Sequence, residues 1–267
     1  MLLVIDIGNT NTSLGVFEGD HLVVHWRLTT ERSRTVDEWG VHVRNLFALG
    51  GLDFKTIDAI AIASVVPPLN FTLKRMAESY FNLTPLFVDH SVNTGVPILY
   101  EPSSDVGADR IVDAVAAIQK YGAPCIIVDF GTATTFDAIN AKGEYLGGVI
   151  TPGITISADA LFARAAKLPR VEIKRSQRII GSSTVEAMQS GLYNGYVGLV
   201  DGILRKMIDE LGGSPKVIAT GGLASLIATG SEFIERVDET LTLEGLRLVY
   251  ERAASPKSKF QSSKPRD

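Results

Sequence analysis

Leu3-Val4-Ile5-Asp6-Ile7-Gly8-Asn9-Thr10-Asn11-Thr12 returns, with small changes, 123 residues later as Ile126-Ile127-Val128-Asp129-Phe130-Gly131-Thr132-Ala133-Thr134-Thr135. Each copy is an apolar strand ending in Asp-x-Gly, followed by short hydroxyl or amide residues. Glycine permits an unusual φ, and short polar side chains bond the local backbone, so each run predicts a strand entering a tight turn. The first copy continues through Ser13–Phe17, a Gly19-Asp20 turn and His21–Arg27. The second continues through Phe136–Ile139, a Lys142-Gly143 turn and Glu144–Ile150. Both predict three-strand meanders. Helical periodicity follows at about 36–49 and 157–166, and buried-looking strands follow at 59–65, 86–88 and 216–219. The pattern predicts two similar α/β halves, 1–121 and 122–253, divided near Gly122-Ala123-Pro124, with a flexible tail at 254–267 rich in Ser, Lys and Pro. A repeat of this length is a duplication rather than a solenoid.

Composition fits that architecture. The 267 residues are 45% hydrophobic and 21% charged, values that exclude a disordered chain, a collagen and a long coiled coil. The formal charge is −4 and the pI about 5.6, so no basic nucleic-acid-binding face is expected. One cysteine, Cys125, cannot make an internal disulfide. Asp6 interrupts the first apolar run too early for a secretory leader, and no stretch has the roughly 20 apolar residues of a membrane helix. The expectation is a cytoplasmic protein that binds neither membrane nor nucleic acid.

Several common signatures are missing: a P-loop, a strand-linked G-x-G-x-x-G, H-E-x-x-H, and G-x-S-x-G. The paired turns offer a different phosphate chemistry. Gly8-Asn9-Thr10-Asn11-Thr12 directs backbone N–H groups and hydroxyls into one concavity suited to an anionic oxygen. Asp6 would repel a bare phosphate, but a hydrated Mg²⁺ held by Asp6 through water bridges carboxylate and phosphate. A single Asp-x-Gly turn is explained as well by an aspartate satisfying its own turn. Two in equivalent places favour a polyphosphate clamp.

Together with Gly107-Ala108-Asp109-Arg110 and Gly147-Gly148-Val149-Ile150-Thr151-Pro152-Gly153, these turns resemble the type III pantothenate kinases over residues 1 to about 249. Asp-x-Gly alone would indicate only the wider acetate kinase, sugar kinase, Hsp70 and actin superfamily. The resemblance implies two duplicated ribonuclease H-like (actin-like ATPase) domains with mixed sheets flanked by helices. It implies ATP-dependent phosphorylation of pantothenate, the first step of coenzyme A biosynthesis, with ATP phosphates between the Asp6 and Asp129 turns. It also implies a homodimer whose pantothenate pocket the partner completes. Asp129 then matches the monovalent-cation position (K⁺ or NH₄⁺) and Thr132 an ATP contact, while Tyr100, Gly107, Ala108, Asp109, Arg110 and Thr184 match substrate contacts. Another small-molecule kinase of the superfamily, or a non-catalytic regulatory relative, stands as the alternative.

Asp109 lies where the helical run to Tyr121 begins. An acid in a first turn stabilises orphan N–H groups and the positive dipole end, and position alone favours that role. The resemblance adds the second role, general base towards the attacking alcohol. Arg110 suits either a surface ion pair or a two-pronged grip on the pantothenate carboxylate. Tyr100 is equally an aromatic packing at a strand end. Asp129 could hold only Mg²⁺ through water. Ser183-Thr184-Val185-Glu186 has the form of a capping box. Lys216–Thr220 followed by Gly221-Gly222 reads as a strand whose glycine pair lets adenosine approach the backbone, or as a plain strand-to-helix turn. Gly8, Gly107, Gly131, Gly147, Gly148, Gly221 and Gly222 are all expected at ligand turns.

Overall fold

A computed structural model describes residues 1–255. The expected tail therefore lies outside the described residues from position 256 onward. Contacts divide the chain into a first unit, Met1–Ala116 with the residues from Leu241 on, and a second unit, Ala117–Thr240.

The first unit begins with β1 (Leu2–Ile7), β2 (Asn11–Glu18), β3 (His21–Thr29), α1 (Val36–Leu49), β4 (Ala59–Ser64), α2 (Pro67–Met76), β5 (Leu86–Phe87) and the start of α3 (Ala108–Tyr121). The second holds β6 (Cys125–Phe130), β7 (Ala133–Ile139), β8 (Tyr145–Pro152), α4 (Ile154–Arg164), α5 (Thr184–Leu211), β9 (Lys216–Gly221), α6 (Ala224–Ala228) and β10 (Arg236–Val237). Then α7 (Leu241–Ala254) returns to the first unit. The sheets run β3-β2-β1-β4-β5 and β8-β7-β6-β9-β10. In each, the tight-turn meander gives antiparallel pairs, and the longer connections give parallel ones. These are two copies of one ribonuclease H-like sheet, as the echo predicts. α1 matches its expected range, whereas α4 starts three residues earlier than the periodicity indicates, with Gly153 as its N-cap.

Strand alternation sends Leu3, Ile5 and Ile7 into a core with Trp39, Val43 and Leu69 from α1 and α2. Ile126, Val128 and Phe130 likewise meet Tyr196, Val200 and Leu204 of α5. Asp6 and Asp129 consequently lie on the opposite strand faces. On that face of the first sheet sits α7, whose Leu241, Leu243, Leu246 and Val249 form a buried stripe. Gly245 lets α7 approach α3 closely, since a Cβ there would lie 2.1 Å from the Val112 carbonyl oxygen. A division placing 122–253 in the second half therefore differs from the structure at this helix. Its apolar stripe is plain in the sequence, but the sheet it covers is not.

Gly147 and Gly148 do not form a ligand turn. Both lie inside β8, where the ladder with β7 shifts register between Ala138 and Ile139. A Cβ on Gly148 would fall 1.6 Å from the Phe136 carbonyl oxygen, so this glycine serves the close approach of the paired strands β7 and β8. Among the described residues no helix is long and apolar enough to cross a membrane.

Candidate active site

In the first unit, β1 delivers Asp6, opposite Ser13 of β2, to the edge where the strand gives way to the turn. The Gly8 N–H donates to the Asn11 carbonyl at 3.0 Å, closing the turn, and Asn9, Thr10 and Asn11 are exposed. The loop after β3 fastens it from outside. Thr30 Oγ1 donates to the Gly8 carbonyl at 2.8 Å, the Thr30 N–H donates to the Thr10 carbonyl at 2.8 Å, and Arg32 Nη2 donates to Asn9 Oδ1 at 2.9 Å. Thr12 is fully buried, with its hydroxyl 2.9 Å from that of Thr30. It sits behind the turn and holds it, rather than offering its hydroxyl to a ligand.

Beside this turn lies the start of α3. The Val65 N–H donates to the Ile7 carbonyl at 3.0 Å, and Val65 Cγ1 would be 3.4 Å from a Cβ on Gly107. The chain ends of β1 and β4 and the first turn of α3 thus converge within one unit. Gly107 caps α3, its carbonyl accepting the Ile111 N–H at 3.2 Å. The Asp109 carboxylate folds back over Gly107 and accepts the Arg110 N–H at 2.8 Å. A Cβ on Gly107 would lie 2.4 Å from Asp109 Oδ1, so glycine is what gives the carboxylate room. Ala108 is buried and Arg110 only 9% exposed, unlike an ordinary surface arginine. Tyr100 is half-buried in the loop ahead of α3.

The second unit repeats the theme with different fastenings. Ile7 pairs with Thr12 and Phe130 with Thr134, so the second turn is one residue shorter and Thr12 corresponds to Thr134, not Thr135. The Thr132 carbonyl accepts the Gly153 N–H at 3.0 Å, as the Thr10 carbonyl accepts that of Thr30. Thr134 is anchored from α5 by the Tyr196 hydroxyl at 2.5 Å. Glycines flank the Asp129 carboxylate. A Cβ on Gly221, whose φ is +93°, would lie 2.4 Å from Oδ1, and one on Gly131 would lie 3.4 Å from Oδ2. Gly222 is exposed in the turn between β9 and α6.

Thr184, the exposed first residue of α5, borders a groove of about 550 Å³ lined by Leu161, Leu168, Met188 and Leu192. Ser183 caps α5, accepting the Glu186 N–H at 3.2 Å. Glu186 reaches back to the hydroxyl and N–H of Ser182 rather than to Ser183, and these bonds hold its carboxyl below the ordinary range. The box thus closes one residue earlier than its usual form.

Sequence reasoning missed that Thr30 and Gly153 fasten the two turns, although Gly153 closes the quoted Gly147–Gly153 run. They lie 123 residues apart, the spacing of the echo itself, yet one is a hydroxyl residue and the other a glycine. Only the shared spacing could have shown that they play one role.

The sequence profile of the type III pantothenate kinase family matches residues 2–206. The chain belongs to that family. Members of the type III pantothenate kinases from Koribacter versatilis and Anaeromyxobacter sp. (strain Fw109-5) are 58% and 60% identical to it. The alignments cover 99% and 94% of this chain, and 100% and 99% of the relatives. Similarity to solved structures extends the fold alone. A Campylobacter jejuni protein described as a putative Baf family transcriptional activator has a TM-score of 0.56 at 20% identity, with 94% of this chain and 98% of that one covered. The ethanolamine utilization protein EutJ from Carboxydothermus hydrogenoformans has 0.57 at 15%, with 92% and 89% covered.

A kinase of this family uses ATP with a divalent metal. Among the described residues no three His, Cys, Asp or Glu side chains gather as a ligand set. Asp6, where β1 gives way to the first turn, supplies one carboxylate, a hard oxygen donor of the kind that Mg²⁺ takes beside phosphate oxygens and water. At Asp129 a Cβ on Gly221 would collide with Oδ1, whereas one on Gly131 would make ordinary contact with Oδ2, so glycine at 221 is what leaves that carboxylate, a hard oxygen donor, its room.

Proposed function

We propose that this chain transfers the γ-phosphoryl group of ATP to the primary hydroxyl of pantothenate, giving 4'-phosphopantothenate, the first step of coenzyme A biosynthesis. It acts in the cytoplasm as a homodimer. The observation that carries the reading is the Asp109 carboxylate, seated over Gly107 and oriented by the Arg110 N–H, in a chain of this family. We assign ATP binding to the Asp6 turn (Asp6, Gly8, Asn9, Thr10, Asn11) and to Thr132, Gly221 and Gly222. Thr12 acts through the turn. Asp6 would hold Mg²⁺ through water and Asp129 a monovalent cation, K⁺ or NH₄⁺, and both ions would supply charge neutralisation for the phosphates.

As the hydroxyl oxygen forms its bond to phosphorus, the bond to the β,γ-bridging oxygen breaks and the hydroxyl proton passes to Asp109. Its place in a first helical turn sets that carboxylate beside orphan N–H groups and the positive end of the helix dipole. A weak base suffices because the proton leaves late in a loose transition state. Arg110 grips the pantothenate carboxylate with two parallel N–H donors, and Tyr100, Gly107, Ala108 and Thr184 complete the substrate contacts.

ADP release with and without pantothenate, in potassium and in sodium buffer, tests the reading. Turnover should require pantothenate and be faster in potassium. Asp109→Asn should lower kcat by about 10²- to 10⁴-fold, with ATP affinity within a few-fold of wild type. Turnover independent of pantothenate, or an active Asp109→Asn enzyme, would refute it.

A further inference from the structure

Arg32 has no place in the chemistry above, yet the structure fastens it to the Asp6 turn. Its Nη2 donates to Asn9 Oδ1 at 2.9 Å, and its side chain is exposed. Among the described residues it has no carboxylate partner. Glu31, its neighbour in the chain, is turned away, with Oε1 accepting the Ser33 N–H at 3.2 Å and the Ser33 hydroxyl at 2.9 Å. A neutral amide therefore orients the guanidinium without cancelling its charge, whereas a carboxylate anchor would have neutralised it. The same loop holds the turn through Thr30, which bonds Gly8, Thr10 and Thr12, so Arg32 is carried on a segment locked to the turn at three further points.

We propose that Arg32 is a phosphate-contacting residue of the nucleotide site, held by Asn9 so that its remaining N–H donors meet a phosphate beyond the first. This rests on the assignment of the Asp6 turn to ATP. The physical need is local: a turn that carries Asp6, in a chain of net charge −4, holds a polyphosphate more tightly when a fixed positive charge stands beside any bound cation. Guanidinium suits the task because its fork can keep one N–H on the tether and present others to phosphate oxygens.

The test is calorimetric titration of ATP and AMP, with Mg²⁺, into wild type, Arg32→Gln, Arg32→Lys and Asn9→Ala. Arg32→Gln should weaken ATP by about 10- to 100-fold, the scale of a lost charge-assisted contact, and leave AMP within twofold. Arg32→Lys should recover only part of the loss, and Asn9→Ala, which removes the tether together with Asn9's own contact, should weaken ATP more than AMP. Unchanged ATP affinity in Arg32→Gln, or an equal loss for ATP and AMP, overturns the proposal. Wild-type protein that binds ATP but phosphorylates no pantothenate would refute the proposed function and leave this assignment standing. Wild-type protein that binds no ATP would remove both.

Discussion

Replacing Gly107 by alanine asks whether the position of the Asp109 carboxylate, rather than its mere presence, sustains turnover. The φ of Gly107 lies outside the left-handed region, so the backbone accepts alanine and the effect is steric. The new Cβ would lie 2.4 Å from Asp109 Oδ1, so the carboxylate must retreat by roughly 1 Å to regain van der Waals separation. That retreat gives up the 2.8 Å bond from the Arg110 N–H, worth about 1 kcal/mol. Exchanging glycine for alanine at the cap adds a few tenths. At this chain length such a loss lowers Tm by about 3–5 °C. Catalysis should suffer far more, because a misplacement of about 1 Å costs on the order of 10²-fold in kcat, or about 2.7 kcal/mol of barrier. Steady-state kinetics and thermal unfolding of Gly107→Ala measure both quantities. The same change in the Asp109→Asn background isolates the route, since it should slow that enzyme no further. A Gly107→Ala enzyme with kcat within threefold of wild type, or an additive loss in the double variant, would refute the reasoning.

Two further outcomes concern the second unit. Burial alone would raise the Asp238 carboxyl, but the Lys120 ammonium at 2.6 Å and the Tyr121 hydroxyl at 2.7 Å outweigh it and hold the group below the ordinary range. A depressed folded value means the stabilisation is complete above the unfolded carboxyl pKa and is lost as pH falls through the folded one. Asp238→Asn should therefore cost roughly 2 kcal/mol in urea unfolding near pH 7, with the difference from wild type closing below about pH 4. A gap that widens in acid would contradict this. Cys125, fully buried on β6, has its thiol pushed up to about 12 by burial. Alkylating reagents at neutral pH should label it only as the protein unfolds, and stoichiometric labelling of the native protein within minutes would show that the strand opens freely.

Much of this architecture was legible because it depends on local chemistry. Asp-x-Gly after an apolar run dictates a strand and a turn whatever packs around it, and Val36–Leu49 carries its own capping acid and apolar stripe. Features that depend on approach between distant segments were not legible. Gly148 resembles a turn glycine in sequence and proves to be a strand glycine only because the Phe136 carbonyl of the paired strand lies against it. Gly107, within a recognised motif, gains its physical reason only from the folded-back carboxylate two residues on. The stripe of α7 shows that a helix is buried, but its sheet is chosen by Gly245 fitting against Val112 and Leu243 against Gly15, pairings that no local pattern encodes.

The two turns also show what a duplication preserves. In both units the carbonyl of the second residue past the Asp-x-Gly aspartate's turn glycine, or its counterpart in the shorter loop, accepts a backbone N–H from the residue just past the third strand: Thr10 from Thr30, Thr132 from Gly153. The bond is common to both, but the chemistry around it has diverged. At Thr30 a side chain adds bonds to Gly8 and Thr12, so the first turn is fastened by groups that substitution can remove one at a time. At Gly153 no side chain is available, and a Cβ would fall 2.3 Å from the Thr132 carbonyl oxygen, because the segment is already turning into α4. At Gly153 the second turn is thus fixed by backbone packing, which tolerates little variation, and its side-chain anchor, Tyr196 on Thr134, comes from α5 instead of from the segment after the third strand. The first is fixed by side chains, and that is the arrangement able to carry an additional charged residue such as Arg32 to its edge.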